Sequence, residues 1–182
     1  MMSLANKISI GRILLAPGVV AALLYYDPQH DGLRYVALAL FLLGVCSDAV
    51  DGFIARSQQQ QSQLGTVLDP IADKLLVVSA LISLSAIRAL PEGMRVPGWF
   101  NLIVISRDVV VIVGTMLLFA FTGKFSVKPS WLGKWTIAMQ MAVVPAALLE
   151  WPIKPVALGV AAILTILSGI GYLREGTRML GA

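Results

Sequence analysis

Six long apolar runs, separated by short polar or turn-forming breaks, make up most of this chain of 182 residues. A helix needs about 20 apolar residues to cross the hydrocarbon of a bilayer. Only 13% of the residues are charged, against roughly 25% in soluble domains. The sequence therefore predicts an all-α, polytopic membrane protein that forms a single domain over residues 1–182. Its six transmembrane helices are expected near 9–26, 33–55, 66–88, 97–122, 134–150 and 154–173.

The two ends of the chain are predicted to lie on the cytoplasmic side of the inner cell membrane. Residues 1–8 precede the first apolar run and are expected to form a short amphipathic segment on the membrane surface. With six spans both termini share one side, and Lys and Arg mark the cytoplasmic side of a membrane protein. That side collects Lys7, Arg12, Arg56, Lys74, Lys124, Lys128, Lys134, Arg174 and Arg178.

Four aspartates stand between the middle of the second run and the start of the third. Asp48 and Asp51 are three residues apart, and Asp69 and Asp73 are four apart, so each pair shares one face of a helix. Each carboxylate costs on the order of 2.5–3.5 kcal/mol at membrane depth. Oxygen ligands of this kind suit Mg²⁺, Mn²⁺ or Ca²⁺. The spacing therefore predicts a divalent-cation site near the cytoplasmic ends of two adjacent helices.

The residues around these aspartates are suited to a diphosphate. Gly52 and Gly65 remove side chains where a nucleotide or its pyrophosphate would approach the backbone. Arg56 supplies a planar fork for phosphate oxygens, and Ser62 adds a hydroxyl. Two metal ions about 3.5–4 Å apart would bind both the attacking and the leaving oxygen of a displacement at phosphorus.

The spacing D-x2-D-G-x2-A-R-x8-G-x3-D-x3-D resembles the signature of the CDP-alcohol phosphotransferases. Its fixed positions here are Asp48, Asp51, Gly52, Ala55, Arg56, Gly65, Asp69 and Asp73. The resemblance implies a six-helix membrane enzyme, usually a homodimer, in which an alcohol displaces CMP from CDP-diacylglycerol. It also implies that the four aspartates bind two ions of Mg²⁺ or Mn²⁺ and that Asp73 is the base as well. The implied CDP-diacylglycerol-binding residues are Gly52, Arg56, Ser62 and Gly65.

Segments outside this signature bear on the alcohol acceptor. Asn6, Arg12 and Pro17 resemble the opening segment of phosphatidylglycerophosphate synthases, which implies sn-glycerol 3-phosphate as the acceptor. The dipeptide Arg107-Asp108 is instead similar to the cardiolipin synthases of the same family, whose acceptor is phosphatidylglycerol. We predict the glycerol 3-phosphate reaction, with cardiolipin synthesis as the alternative. The cations expected to hold the acceptor's phosphate are Arg107, Lys128 and Lys134.

Other interpretations compete with these predictions. An ion-pair network of the aspartates with Arg56 and Lys74 would not need glycines at the two positions where they occur. Arg107 and Asp108 are as well explained by an internal ion pair as by acceptor binding. A cation channel or transporter would use the carboxylates but not the Asp-Gly-x2-Ala-Arg motif. We expect no nucleic-acid partner.

The lone histidine and the lone cysteine carry little functional weight. His30 lies in a polar loop, and we expect it to be solvated. Cys46 lies in an apolar run, and we expect it to be a buried small apolar residue. A zinc site and histidine-based acid–base chemistry are therefore not expected.

Overall fold

The computed structural model describes residues 4–29, 31–58, 63–122 and 131–180, and the side chains of 11–29, 31–47, 72–117, 120 and 131–177. The described residues form helices joined by turns, without a β-strand. The prediction of an all-α fold with six helices is confirmed for this part of the chain. The helices are α1 (Leu4–Leu24), α2 (Gly32–Gln58), α3 (Gln63–Ala86), α4 (Gly98–Thr122), α5 (Trp131–Leu148) and α6 (Lys154–Leu180).

The chain divides into two compact units, Met1–Val96 and Pro97–Ala182. In the first unit, α1 packs against both α2 and α3, and α2 also packs against α3. In the second unit, α6 packs against both α4 and α5. Each unit is therefore a small helical bundle, and α6 is the central helix of the second one.

The first helix differs from its prediction. It begins at Leu4 and continues to Leu24 without interruption, with Pro17 inside it. Residues 4–8, predicted to form a short amphipathic segment, are the first turns of α1 and not a helix of their own; their amphipathic character stays a prediction. The apolar run that follows them extends the same helix.

The second and third helices are longer at their facing ends than the apolar runs predicted. All four aspartate positions lie inside these helices. Asp51 is seven residues before the end of α2 and Asp69 six residues after the start of α3, about 10 Å from the helix ends. Asp48 is ten residues before the end of α2, and Asp73 is ten residues after the start of α3. At 1.5 Å per residue each of these two positions is about 15 Å from the helix end.

Large apolar side chains cover the outer faces of the helices. Leu14 is 69% exposed and Leu102 68%, while the buried residues include Arg12, Gln140 and Ser168. A water-soluble fold buries large apolar groups and exposes charged ones, so these outer faces suit an apolar environment. Among the described residues, two segments are long and apolar enough to cross a membrane, Gly98–Leu117 and Lys154–Thr177.

A tight turn joins α5 to α6. The Trp151 N–H donates to the Ala146 carbonyl at 2.9 Å, and the Glu150 N–H donates to the Ala147 carbonyl at 3.0 Å. This is the hydrogen-bond pattern of a Schellman motif, whose C′ residue adopts a left-handed conformation. Glu150 has a φ of 50°. Because α6 begins at Lys154, only five residues connect the two helices. The helices α5 and α6 therefore run antiparallel.

Candidate active site

The three helices of the first unit meet closely at Gly44 of α2. A Cβ atom at this position would overlap Leu76 Cδ2 of α3 and would lie 3.7 Å from Leu15 Cδ1 of α1. Leu76 is fully buried, at 1% exposure. The absence of a side chain at Gly44 therefore allows α2 to approach α3 closely.

Leu15, Gly44 and Leu76 form an apolar layer where the three helices meet. Helix periodicity relates this layer to the aspartate positions. Position 48 is four residues after Gly44 and shares its face of α2, and Asp73 is three residues before Leu76 and shares its face of α3. Both aspartate positions are displaced from the apolar layer toward the connection between α2 and α3. The backbone therefore places the predicted metal-binding positions on the two faces that meet at this layer. These positions are 48, 51, 69 and 73.

Asp73 is held by a residue of the first helix. Arg12 Nη1 donates a hydrogen bond to Asp73 Oδ1, and the two side chains form an ion pair. Arg12 is 1% exposed, and the Asp73 side chain 24%. Arg12 is three residues before Leu15, so it lies one turn from the apolar layer, as Asp73 does. The ion pair therefore fixes the Asp73 carboxylate against α1.

Arg12 was not among the residues predicted to form the site. The sequence nevertheless indicated that Arg12 has a buried partner, because an arginine inside an apolar run needs one. From the sequence alone, Arg12 was interpreted as a cation on the cytoplasmic side and as part of the N-terminal segment that resembles phosphatidylglycerophosphate synthases. The partner became evident only from the packing of α1 against α3.

The donor set suits a hard divalent cation. Carboxylate oxygens are the ligands that Mg²⁺ and Mn²⁺ prefer, and two neighbouring helices each carry two aspartate positions on their contacting faces. Of the four aspartates, only Asp73 has a side chain in the described part of the structure. Within that part, three or more metal-ligating side chains do not come together. The backbone arrangement fits the predicted metal, whose ligands stay a prediction.

The predicted CDP-diacylglycerol-binding residues lie around the facing ends of α2 and α3. Gly52 and Arg56 belong to the last two turns of α2, and Gly65 belongs to the first turn of α3. Their side chains are outside the described ones, and Ser62 and Lys128 lie outside the described residues altogether. The roles of these residues remain predictions.

Arg107 of α4 is buried in the second unit, at 8% exposure. Its Nη1 donates to Asp108 Oδ1 at 3.0 Å, and its Nη2 donates to Ser168 Oγ of α6 at 2.9 Å. Its guanidinium carbon also lies 5.2 Å from the centre of the Tyr172 ring. The buried Nε atom bonds no described residue. The ion pair with Asp108 therefore exists, and it engages only part of the guanidinium.

A cavity of about 370 Å³ lies beside Arg107 between α4 and α6. Most of its lining is aliphatic, and Ser106, Arg107 and Thr165 are the polar residues that line it. Gly169 also lines it, and a Cβ atom there would be 3.5 Å from Arg107 Cγ. Arg107 is the cation of this cavity.

Lys134 is exposed and is the fourth residue of α5. Two residues later, Thr136 Oγ1 lies 3.0 Å from the Leu164 carbonyl of α6 and 2.8 Å from the Leu132 carbonyl of its own helix, and its one hydrogen is shared between these two acceptors. Ser168, the partner of Arg107, is one turn after Leu164. Because α5 and α6 are antiparallel, Lys134 and Ser168 lie within roughly 6 Å of each other along the helix axes. Because Ser168 bonds Arg107, Lys134 and Arg107 lie at a similar height along the helix axes of the second unit.

Comparison with known proteins gives a consistent result along the whole chain. Residues 2–167 match the family model for CDP-alcohol phosphatidyltransferase. A probable phosphatidylglycerophosphate synthase of Mycobacterium tuberculosis is 30% identical, over 98% of this chain and 84% of its own length. The CDP-diacylglycerol–glycerol-3-phosphate 3-phosphatidyltransferase of Bacillus subtilis is 33% identical over 94% of both chains. The protein of the same name from Haemophilus influenzae is 31% identical, over 92% of this chain and 89% of its own length.

Proposed function

Because the chain belongs to the CDP-alcohol phosphatidyltransferase family, we propose that it transfers a phosphatidyl group from CDP-diacylglycerol to sn-glycerol 3-phosphate. The products are CMP and phosphatidylglycerophosphate, an intermediate of phospholipid biosynthesis. Relatives named for this reaction are similar to the chain over nearly its whole length, which supports both substrates. The same relationship favours an enzyme over the cation channel or transporter that the aspartates alone would allow.

The close approach of α2 and α3 at Gly44 and Leu76 is the observation that carries the proposal. It supports a site in which Asp48, Asp51, Asp69 and Asp73 hold one or two ions of Mg²⁺ or Mn²⁺. When bound, the metal would neutralise the charge of the diphosphate and of the leaving CMP.

The chain's own residues would bind CDP-diacylglycerol and accept the proton of the attacking hydroxyl. Arg56 would hold the diphosphate of CDP-diacylglycerol, with Gly52 and Gly65 leaving room for the nucleotide and Ser62 donating a hydroxyl. The acceptor's hydroxyl oxygen attacks the phosphatidyl phosphorus, and the bond from that phosphorus to the CMP oxygen breaks. Asp73 accepts the hydroxyl proton. The hydrogen bond from Arg12 would keep the Asp73 carboxylate in position for this transfer.

The acceptor's phosphate would be held by Arg107, Lys128 and Lys134. A dianionic phosphate monoester calls for more than one cation, and the similar level of Arg107 and Lys134 supports their acting together. Lys134 is exposed, and its ammonium lies 5.8 Å from the centre of the Trp131 ring, an arrangement that leaves the charge accessible.

The chain is proposed to act as a single domain and as a homodimer, with all six helices crossing the inner membrane. The exposed aliphatic faces of the helices support membrane insertion. The distribution of Lys and Arg supports a cytoplasmic location for the termini and for the facing ends of α2 and α3. The family model supports the single domain, because it extends through both units.

One observation favours a second acceptor. The Arg107–Asp108 ion pair is neutral overall, which suits the single charge of phosphatidylglycerol better than the dianion of glycerol 3-phosphate. In that case the product would be cardiolipin. The resemblance of the Arg107-Asp108 dipeptide to cardiolipin synthases points the same way.

An acceptor screen tests the proposed function. Purified full-length protein would be incubated with CDP-diacylglycerol, Mg²⁺ or Mn²⁺, and either sn-glycerol 3-phosphate or phosphatidylglycerol, and CMP and lipid products would be measured by mass. We expect phosphatidylglycerophosphate from the first acceptor. Cardiolipin formation with no use of glycerol 3-phosphate would reject the proposed acceptor, and absence of metal-dependent CMP release with both would reject the transferase.

A further inference from the structure

The guanidinium of Arg107 is held mainly by the neighbouring helix α6. Ser168 accepts a hydrogen bond from Nη2 at 2.9 Å, and the ring of Tyr172, one turn later, lies 5.2 Å from the guanidinium carbon. We infer that Ser168 and Tyr172 are positioning residues that fix Arg107 so that its Nε edge binds the phosphate of the acceptor. This inference rests on the proposed function, since the phosphate concerned is that of sn-glycerol 3-phosphate.

The hydrogen-bonding capacity of Arg107 is only partly used by the protein. A guanidinium has five N–H donors, and within the described residues Asp108 accepts one and Ser168 accepts another. The N–H of Nε is buried without a described partner. A buried donor without an acceptor is unfavourable, so a ligand oxygen at this position would be stabilising.

The Nε edge of Arg107 has the geometry that a phosphate group needs. The other nitrogen on this edge is Nη2, which carries two N–H groups and donates one hydrogen bond to Ser168. The Nε–H and the neighbouring Nη–H of an arginine point in nearly the same direction and can bind two oxygens of one phosphate. This requires the guanidinium plane to be fixed. An arginine side chain otherwise has several rotatable bonds and loses much conformational entropy on ordering. Ser168 and Tyr172 would meet this cost in the folded protein, before the acceptor binds.

The same contacts would also be expected if they served only to join α4 to α6. The two roles differ in what they change. Loss of a purely structural contact lowers the melting temperature and affects both substrates alike. Loss of a positioning contact raises the KM for the acceptor and leaves the KM for CDP-diacylglycerol unchanged.

The test compares four variants and one structural control, all in the full-length protein, with the wild type. Ser168→Ala removes the hydroxyl and Ser168→Thr keeps it, while Tyr172→Leu removes the ring and Tyr172→Phe keeps it. Thr136→Val is the structural control, because Thr136 is buried, its hydroxyl lies 3.0 Å from the Leu164 carbonyl of α6, and it is not among the residues that line the cavity beside Arg107. The KM for each substrate, kcat and the melting temperature would be measured.

We expect Ser168→Ala and Tyr172→Leu to raise the KM for glycerol 3-phosphate about five- to tenfold, where tenfold corresponds to about 1.4 kcal/mol. The KM for CDP-diacylglycerol should stay unchanged, and Ser168→Thr and Tyr172→Phe should restore the acceptor KM to within about twofold. Thr136→Val should lower the melting temperature and leave the ratio of the two KM values unchanged. If Ser168→Ala does not fold, the Tyr172 pair still supplies the comparison.

The outcomes separate this inference from the proposed function. A wild-type protein that does not use glycerol 3-phosphate overturns the proposed function and the inference with it. A wild-type protein that uses it, with variants that leave both KM values unchanged or raise both equally, overturns the inference alone. A rise confined to the KM for CDP-diacylglycerol also overturns it, because Arg107 would then hold the phosphate of the donor.

Discussion

Arg12 of α1 donates a hydrogen bond to Asp73 of α3, although 61 residues separate them in the sequence. The arginine is almost completely buried, and the aspartate is the proposed base. The first helix therefore contributes directly to the layer that carries the proposed metal ligands. A cation at this position both balances the aspartate charge and holds the carboxylate in place.

Replacement of Arg12 tests the importance of this contact. Arg12→Met keeps much of the side-chain volume but removes the charge and the donors. We expect the variant to lose most of its CMP-releasing activity and about 2–3 kcal/mol of stability. This lies below the 3–5 kcal/mol typical of a broken buried ion pair, because Asp73 is partly exposed. CMP release and thermal denaturation in detergent would measure the two effects.

A matched arginine and a double variant complete this experiment. Arg88 is exposed and belongs to the same unit, so Arg88→Met should leave activity and stability nearly unchanged. In the double variant Arg12→Met/Asp73→Asn, the stability loss should be smaller than the sum of the two single losses. Strict additivity would show that the two side chains do not interact in the membrane.

The remaining aspartates are expected to act as metal ligands. Asp48→Asn, Asp51→Asn and Asp69→Asn each remove a charge at nearly constant shape, so activity should fall by at least about a hundredfold while the protein still folds. The Mg²⁺-induced rise in melting temperature should shrink as well. Glu175→Gln, an exposed change on α6, is the control. Near-normal rates in all three variants at saturating Mg²⁺ would contradict the metal site.

Asp73 should behave differently from these three if it also acts as the base. Asp73→Asn should reduce kcat more than it weakens use of CDP-diacylglycerol, because proton transfer occurs in the reaction step and not in donor binding. Steady-state kinetics with varied donor at saturating acceptor would separate the two effects. Equal losses in kcat and in donor affinity would indicate that Asp73 is a ligand only.

The aspartate faces were predictable because helix periodicity is a local property. Spacings of three and four residues put each pair on one side of its helix whatever the tertiary packing. The contact between Arg12 and Asp73 was not predictable in this way. It depends on the register of α1 against α3, which is set by the packing of Leu15, Gly44 and Leu76, three residues that are distant in sequence.

It was also hard to predict which side of a helix is buried when nearly all of its residues are apolar. Cys46 was predicted to be buried, and it is exposed. Gly44 faces α3, and two residues turn a helix by about 200°, so Cys46 lies on nearly the opposite side. The contacts of Ser168 and Tyr172 with Arg107 were missed for the same reason, although Gly169 between them signalled a close approach.

The layer at Gly44 gives a prediction about stability. Gly44→Ala adds a methyl group that would overlap Leu76, and overpacking of this kind costs about 1–3 kcal/mol, offset by up to about 1 kcal/mol of helix propensity. Thermal denaturation should show a net loss. Gly114→Ala is the control, because no atom of the described residues outside the adjacent α4 backbone lies within 4 Å of its added Cβ and only the propensity gain applies. Equal effects of the two changes would argue against close packing of α2 on α3.

Lys134 provides the test of acceptor identity that depends most on charge. It is exposed at the start of α5, at a level similar to that of Arg107, and glycerol 3-phosphate carries a dianionic phosphate that requires convergent cations. Lys134→Gln should therefore raise the KM for glycerol 3-phosphate about tenfold and leave the KM for CDP-diacylglycerol within about twofold, since an ionic hydrogen bond contributes roughly 1.5–3 kcal/mol. Lys154→Gln, at the first residue of α6, is the matched control and should change neither KM. If Lys134→Gln raises both KM values equally, Lys134 acts through general electrostatics or folding. If it has no effect on an enzyme that converts phosphatidylglycerol to cardiolipin, the acceptor is the neutral glycerol headgroup, and the ion pair of Arg107 with Asp108 was the better guide.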